Sequence, residues 1–549
     1  MMKRVWWKEE IGYQIYPRSF KDSNQDGIGD INGIREKIPY LKELGVDFLW
    51  LNPIYQSPNV DNGYDISDYQ KIQPEFGTMA DFDLLLAEAH NHGLKVIMDL
   101  VINHTSDQHY WFQEAKKSMD NPYRDYYIWR EGVEGALPNN WQSIFGGSVW
   151  EFDQQTNEYY FHAFAKEQPD LNWESPALKQ EIFDMIRWWL DKGIDGFRVD
   201  AISHIKKEPF DLPADSENPS QRYQNITGID SYLKELQQVF AEYEIMTVGE
   251  ANGVSADEGI LWAGDDGYFN MIFEFEHIRL WRQSKDEGFD VPAFKSALSR
   301  WQQSLDGKGW NALYMENHDI PRSVSVAGDD TSAYREISAK ALAISYMLLQ
   351  GTPFIYQGQE LGMTNMAFND ISEIDVVDSK NLYQELLAKG TSAAEALEIV
   401  AETTRDNART PMQWSNDEFA GFSEGTPWLK VNPNKENINV AKEMADENSV
   451  YHFYKKLIQL RKQHETLIYG TYQEILAENQ QIFAYKRISE TAEFLIVSNL
   501  SKMPADFSLA SEIATNNWQR LLSSYPEEST NKGELRPFEA NVYYKKIKS

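Results

Sequence analysis

Two spacings of apolar residues alternate along this chain. A short run, Gly12 to Tyr16, reads as a strand. A helical spacing follows, with Ile34, Ile38, Leu41 and Leu44 on one face, Pro39 bending the helix and Gly45 ending it, and then a second apolar run, Val46 to Leu51. The unit repeats. Thr78 and Asp81 set a capping-box start for a helix to about His92, Gly93 stops it, and Lys95 to Ile102 is a strand. Ser175-Pro176 opens another helix with Leu178, Ile182 and Trp189 on its buried side; Gly193 closes it, and a strand ending at Asp200 follows. Further strands are predicted at Ile245 to Gly249, Met271 to Phe275, Ala312 to Met315 and Pro353 to Tyr356, separated by helical sequence. Eight strands alternating with helices describe an α/β fold with a parallel sheet, for which closure into a (β/α)8 TIM barrel is the natural solution.

Two insertions and a tail depart from the alternation. Residues 104–173, rich in Tyr, Trp, Asn and Gly, predict a small excursion domain after the third strand. Residues from about 365 to 420 hold an amphipathic helix near Asn381 to Leu397 and then an irregular stretch. Beyond a helix ending near Arg461, short alternating segments (Gln481 to Arg487, Glu493 to Asn499, Ala540 to Lys545) predict a C-terminal antiparallel β-sandwich. The expected division is barrel 1–103, excursion 104–173, barrel 174–467 and sandwich 468–549.

Charge narrows the partners. With 52 Lys and Arg against 85 Asp and Glu, the 549-residue chain carries a net −33, which repels nucleic acid and anionic membranes. No cysteine is present, so disulfides, thiolate metal sites and a cysteine nucleophile are excluded. Met1 to Glu10 hold no apolar signal core and no stretch approaches 18 apolar residues, so a soluble, cytoplasmic protein is expected; the sequence does not give the oligomeric state, and a monomer is favoured.

Four predicted strands end on an acid: Asp99 (with Asn103 and His104 just after), Asp200, Glu250, and Asp319 in Asn317-His318-Asp319. Acids at the rim of an apolar wall are costly unless paired or used, and the C-terminal rim is where barrels place reactive groups. Arg198 lies two residues before Asp200, on the same strand face, and is expected to hold that carboxylate ionised. Near the start, Asp22, Asn24, Asp26 and Asp30 place side-chain oxygens at alternate positions, with the Ile28 carbonyl as a fifth donor. That is the first half of a calcium loop without its terminal bidentate Glu; an Asx-turn loop is the metal-free alternative, and calcium, or else magnesium, is the expectation.

The segments Asp99-Leu-Val-Ile-Asn103-His104, Gly196-Phe-Arg198-Val-Asp200, Gly249-Glu250 and Asn317-His318-Asp319 resemble, in order, four motifs of the α-amylase clan of glycoside hydrolases. Gln168-Pro-Asp170-Leu-Asn172-Trp173 resembles that clan's additional motif. Asp61-Asn-Gly-Tyr64-Asp65, Asn407-Ala-Arg409-Thr-Pro-Met-Gln-Trp414 and the Asp22 to Asp30 loop point to the oligo-1,6-glucosidase and dextran glucosidase branch. The resemblance implies retaining hydrolysis through a glucosyl-enzyme, with Asp200 as nucleophile, Glu250 as general acid and base, and Asp319 gripping the 2- and 3-hydroxyls. It further implies that His104 and His318 bond sugar hydroxyls, that Tyr64 stacks on the ring, and that an Asp61–Arg409 pair clasps the 4-hydroxyl of a small oligosaccharide's terminal glucose. Lys206 would meet the leaving sugar. Ala201 follows the nucleophile, nearer the small aliphatic residue of α-1,6 members than the threonine of α-1,4 members, and Asn252 stands where dextran glucosidases carry tryptophan. Trehalose-6-phosphate hydrolysis, sucrose isomerisation and α-1,4 cleavage are the alternatives on the same fold, with Lys206-Lys207 as a candidate phosphate contact.

Overall fold

The structure is a computed structural model that describes residues 3–215, 218, 220–282, 288–509, 511, 513, 517–531 and 533–547. Met1 and Met2, part of the N-terminal stretch considered above, lie outside them. All eight predicted barrel strands form: β1 Gly12–Ile15, β2 Phe48–Leu51, β3 Lys95–Val101, β4 Gly196–Asp200, β5 Met246–Glu250, β6 Met271–Phe273, β7 Ala312–Leu313 and β8 Thr352–Tyr356. They make one parallel sheet in the order β6-β5-β4-β3-β2-β1-β8-β7, and β6 and β7 approach each other to bring the ring round. Both faces of these strands are covered, which is why they read as unbroken apolar runs rather than as alternation. Gly196 can open β4 because it has no side chain: its φ is +151°, and a Cβ there would lie 1.9 Å from the Met246 carbonyl oxygen.

Two predicted helices are each split. The first is Ile31–Glu36 and then Ile38–Leu44, because Pro39 has no N–H to continue the ladder from the preceding turn. The Asn381 to Leu397 helix is Val377–Ala388 and Ala393–Thr403; Gly390, at φ +93°, ends one and the Ser392 side chain caps the other at the Glu395 amide.

Between β3 and β4 a three-stranded antiparallel sheet (Trp129–Arg130, Trp150–Asp153, Glu158–Phe161) forms the excursion. The C-terminal part is a five-stranded antiparallel sheet, Thr471–Ile475, Ile482–Ile488, Ala492–Asn499, Ala540–Lys546 and Gln519–Ser523 in spatial order, with a two-stranded ribbon of Ala505–Asp506 and Glu534–Leu535 beside it. Of two fully buried arginines at this junction, Arg487 ties the sheet to the barrel: it donates to the carbonyl of Leu348 and to those of Ile468 and Gly470, while Arg461, on the helix ahead of the sheet, donates to the carbonyls of Met347, Leu349 and Gly351. Among the described residues neither guanidinium has a carboxylate partner; burial pushes Arg461 down to about 9 and Arg487 to about 10. Among the described residues no helix is long and apolar enough to cross a membrane.

Candidate active site

Parallel register sets the first contacts. Asp99 on β3 lies opposite Arg198 on β4, and Gly249 on β5 opposite Val199, so three strand ends converge. One guanidinium then serves three acids. Arg198 Nη1 lies 2.6 Å from Asp99 and 2.5 Å from Asp200, and Nη2 lies 2.9 Å from Glu250. Asp99 also accepts from the Trp50 indole at 2.8 Å and the Tyr64 hydroxyl at 3.2 Å. The Ala201 amide donates to Glu250 at 2.7 Å, from a residue at φ +43°, a left-handed conformation rare for a side chain with a Cβ.

Three carboxyls around one positive group cannot all ionise freely. Burial pushes Glu250 up to about 8; Arg198 opposes this and the Asp200 charge adds to it. Burial raises Asp200 as well, with Arg198 pulling it back and Asp99 adding to the rise. Arg198 therefore does not by itself hold Asp200 in the ordinary carboxylate range, as the sequence led us to expect; it is divided among three acids. Burial raises all three carboxyls, and Glu250 furthest, which favours it as the one that holds a proton near neutral pH.

Asp319 has a different setting. Burial works against its charge, but His318, Arg405 and Arg409 outweigh that and hold it well below the usual carboxylate range. His318 Nε2 lies 3.0 Å from Asp319 and its Nδ1 2.9 Å from Gln14 Nε2; burial lowers this imidazole to about 4, so it is neutral at pH 7. Arg409, fully buried, donates to Asp319 at 3.0 Å and to the His318 carbonyl at 2.9 Å.

The clasp differs from expectation in its arginine. Asp61 pairs with Arg405 at 3.3 Å, not with Arg409, and accepts from Gln168 at 3.1 Å. Arg405 also reaches Asp319 at 3.2 Å and Asp378 at 2.8 Å. Arg405 is one helical turn before Arg409, at the entry to the Asp406–Arg409 turn, so the motif offers both and packing selects the one that faces Asp61. Arg405, Asp378 and Gln168 are site residues that the sequence reading did not assign. Arg405→Met is expected to lower kcat/KM about a hundredfold with little change in melting temperature, whereas Arg409→Met, which strips a buried scaffold contact, is expected to lower the melting temperature by several degrees. Thermal unfolding and initial rates on one preparation separate the two.

Three other expected contacts shift. The Tyr64 ring stacks on His318, centroids 5.2 Å apart and 8° from parallel, which sets it as a wall of the pocket beside Asp99. His104 has its ring nitrogens taken up by protein groups (Tyr64 carbonyl 3.0 Å, Gln168 3.1 Å, Asn103 3.2 Å), so in this arrangement it braces Tyr64 and Gln168 rather than waiting for a sugar hydroxyl. Lys206 packs its ammonium 5.3 Å from the centre of the Tyr232 ring, in a cleft against the excursion domain, and has no contact with the acids. Lys207 is buried and paired with Asp170 at 2.7 Å, so it offers no phosphate contact.

In the 22–30 loop, Asp22 accepts from the amides of Asn24, Gln25 and Gly27 and from the Ser423 hydroxyl, while Asp30 caps the Ile31–Glu36 helix through Gly33 and accepts from Ser23. Among the described residues no three acidic or histidine side chains group as a metal site. Yet Asp22 and Asp30 are only 2% and 3% exposed and neither has a cationic partner there. Their oxygens all accept from amides or hydroxyls but no cation among the described residues offsets their charge, and with Asn24, Asp26 and the Ile28 carbonyl alongside they are a donor set of the hard-oxygen type that a divalent cation takes.

Comparison with known proteins agrees with this geometry. The family described as "Alpha amylase, catalytic domain" matches residues 14–470. The probable oligo-1,6-glucosidase 3 of Bacillus subtilis (strain 168) is 54% identical over 99% of this chain and 100% of its own length, and the oligo-1,6-glucosidase of Parageobacillus thermoglucosidasius 50% identical over 99% of each. Among solved structures, a Bacillus licheniformis trehalose-6-phosphate hydrolase superposes with a TM-score of 0.93 at 43% identity, covering 98% of this chain and 100% of that one. An arginine-bridged set of rim acids on an eight-stranded barrel, matched end to end by such relatives, places the chain in the α-amylase family of glycoside hydrolases, to which it belongs.

Proposed function

We propose that the protein is a retaining, exo-acting α-glucosidase that cleaves α-1,6-glucosidic bonds at the non-reducing end of isomalto-oligosaccharides, panose or dextran and releases α-glucose. The observation that carries this reading is that Asp200 and Glu250 sit on the two terminal nitrogens of one guanidinium. Retaining hydrolysis requires two carboxyls about 5–5.5 Å apart, against about 6.5–9.5 Å for inversion, and a single guanidinium spans the shorter gap. Asp200 attacks the anomeric carbon while Glu250 gives its proton to the departing glycosidic oxygen. Glu250, now a carboxylate, takes a proton from water, whose oxygen attacks the anomeric carbon from the face the leaving group vacated and displaces Asp200 from the opposite face, so the two inversions give net retention. Asp319, held anionic, suits the positive charge that develops on the ring.

Support for exo action comes from the closed end of the pocket. Asp61, Arg405 and Asp378 form a charged floor, the Phe145 ring lies 5.1 Å from the Arg405 guanidinium, and Asn381 bonds the Phe145 carbonyl at 3.0 Å, so excursion and insertion meet behind it. Support for α-1,6 preference comes from the named relatives and from Ala201. Trehalose 6-phosphate is disfavoured as substrate because Lys207 is committed to Asp170. Product analysis on isomaltose, panose, maltose and trehalose 6-phosphate, with anomers followed by NMR, decides: isomaltose and panose should give α-glucose fastest, and preferred cleavage of the phosphorylated sugar would replace this reading.

Calcium in the 22–30 loop, held by Asp22, Asn24, Asp26, Asp30 and the Ile28 carbonyl, would be structural and take no part in the reaction. Removal with EGTA is expected to lower the melting temperature by several degrees, reversed by added calcium. Asp22→Ala should abolish that shift and retain most of kcat, while Asp61→Ala should lose most of kcat and retain the shift. A cytoplasmic site of action is part of the proposal, in keeping with a chain free of cysteine.

A further inference from the structure

One buried amide on β1 has both its hydrogens taken. Gln14, opposite Trp50 on β2 and Tyr356 on β8 and 1% exposed, donates from Nε2 to Asn52 Oδ1 at 2.9 Å and to His318 Nδ1 at 2.9 Å. Asn52, equally buried, donates from Nδ2 to the Tyr64 hydroxyl at 2.6 Å, and that hydroxyl donates to Asp99 at 3.2 Å. Four hydrogen bonds thus join Asp99 to His318.

The direction of each bond follows from the Asp99 end. Asp99 takes hydrogens from Arg198 and from the Trp50 indole, so it stands as a carboxylate and can only accept. The Tyr64 hydroxyl has one hydrogen and gives it to Asp99, so its oxygen must accept from Asn52. Asn52 therefore turns its NH2 to Tyr64 and its oxygen to Gln14. Gln14 must then present its own NH2 to Asn52, and the second hydrogen of that NH2 faces His318 Nδ1. A neutral imidazole has one hydrogen for two nitrogens, and a nitrogen that accepts cannot carry it; the hydrogen goes to Nε2.

That choice is felt where the sugar ring would react. Nε2 lies 3.0 Å from Asp319 but out of line for a hydrogen bond, and among the described residues it has no hydrogen-bond partner although His318 is 1% exposed. The pocket is offered a fixed N–H beside an anionic carboxylate. With the hydrogen on Nδ1, a lone pair would face that anion and the donor would be lost. Tyr64, stacked on the imidazole, and Trp50, edge-on to it with centroids 6.2 Å apart, hold the ring plane. We propose that Gln14 is a positioning residue for the reaction: it relays the direction of hydrogen bonding set at Asp99 and so fixes the hydrogen of His318 on Nε2.

The proposal rests on the reaction given above, but its test needs no turnover. In protein labelled with 15N-histidine, long-range 1H–15N spectra at neutral pH should show His318, assigned by the signal that His318→Asn removes, as a neutral ring protonated at Nε2. Gln14→Leu, which keeps the volume and removes the donors, should turn that signal into a mixture of the two neutral forms and lower kcat/KM on isomaltose about thirtyfold, with the basic limb of the pH profile unmoved. Asn52→Leu, which leaves the Gln14 amide free to turn over, should move the ring the same way and stands in if Gln14→Leu does not fold. A hydrogen on Nδ1 or a cationic ring in the unmodified enzyme, or a tautomer that neither substitution moves, overturns the proposal. Any of these could be found while product analysis still gives α-glucose, and a failure of product analysis would leave the tautomer to be read as before.

Discussion

Glu250→Gln is expected to lower kcat/KM on isomaltose about a thousandfold and to remove the basic limb of the pH profile. Burial lifts the Glu250 carboxyl to about 8, against the pull of Arg198 and with the help of the Asp200 charge. The acid is therefore protonated below that pH and can deliver its proton to the glycosidic oxygen; activity falls as pH rises through about 8 and the proton is lost. A glutamine has no such proton at any pH. On 2,4-dinitrophenyl α-glucoside, whose leaving group departs without protonation, the first chemical step should be nearly unimpaired. A basic limb that survives the substitution would place the general acid elsewhere.

Asp200→Asn is expected to reduce kcat about ten-thousandfold or more while leaving sugar binding within about tenfold of its original strength. The amide cannot form the glucosyl ester, but Arg198 keeps Asp99 and Glu250 as partners, so the pocket should hold its shape. The unmodified enzyme, mixed with isomaltose in an NMR tube, should show the α-anomeric proton before mutarotation supplies the β form. First-formed β-glucose would exclude a covalent intermediate on Asp200.

The barrel could be read from the sequence because each strand is covered on both faces and so leaves an apolar run, with its reactive acid at the end of the run. Asp99, Asp200 and Glu250 were legible for that reason. Contacts made across elements distant in sequence were not. Arg405 and Arg409 stand one turn apart in the same motif, and only the placement of the Val377–Ala388 helix, which brings Asp378 to Arg405, determines which of them meets Asp61. Lys206 and Lys207 are a similar case: adjacent in sequence, they separate into an aromatic cleft and a buried pair with Asp170. Sharing was invisible as well. An Arg two residues from an Asp on a strand suggests a private pair, and the number of acids that guanidinium serves depends on the register of β3, β4 and β5.

The arginines beneath the C-terminal sheet bear on how the chain can be shortened. Removing residues 468–549 would take away Arg487, so the barrel's Leu348 carbonyl loses its donor, while Arg461 keeps its acceptors with Leu467 now the last residue. The sheet thus acts as a keel for the barrel rather than as cargo, and a chain trimmed at that boundary, or grafted to a foreign partner there, should be destabilised because Arg487 no longer reaches the Leu348 carbonyl.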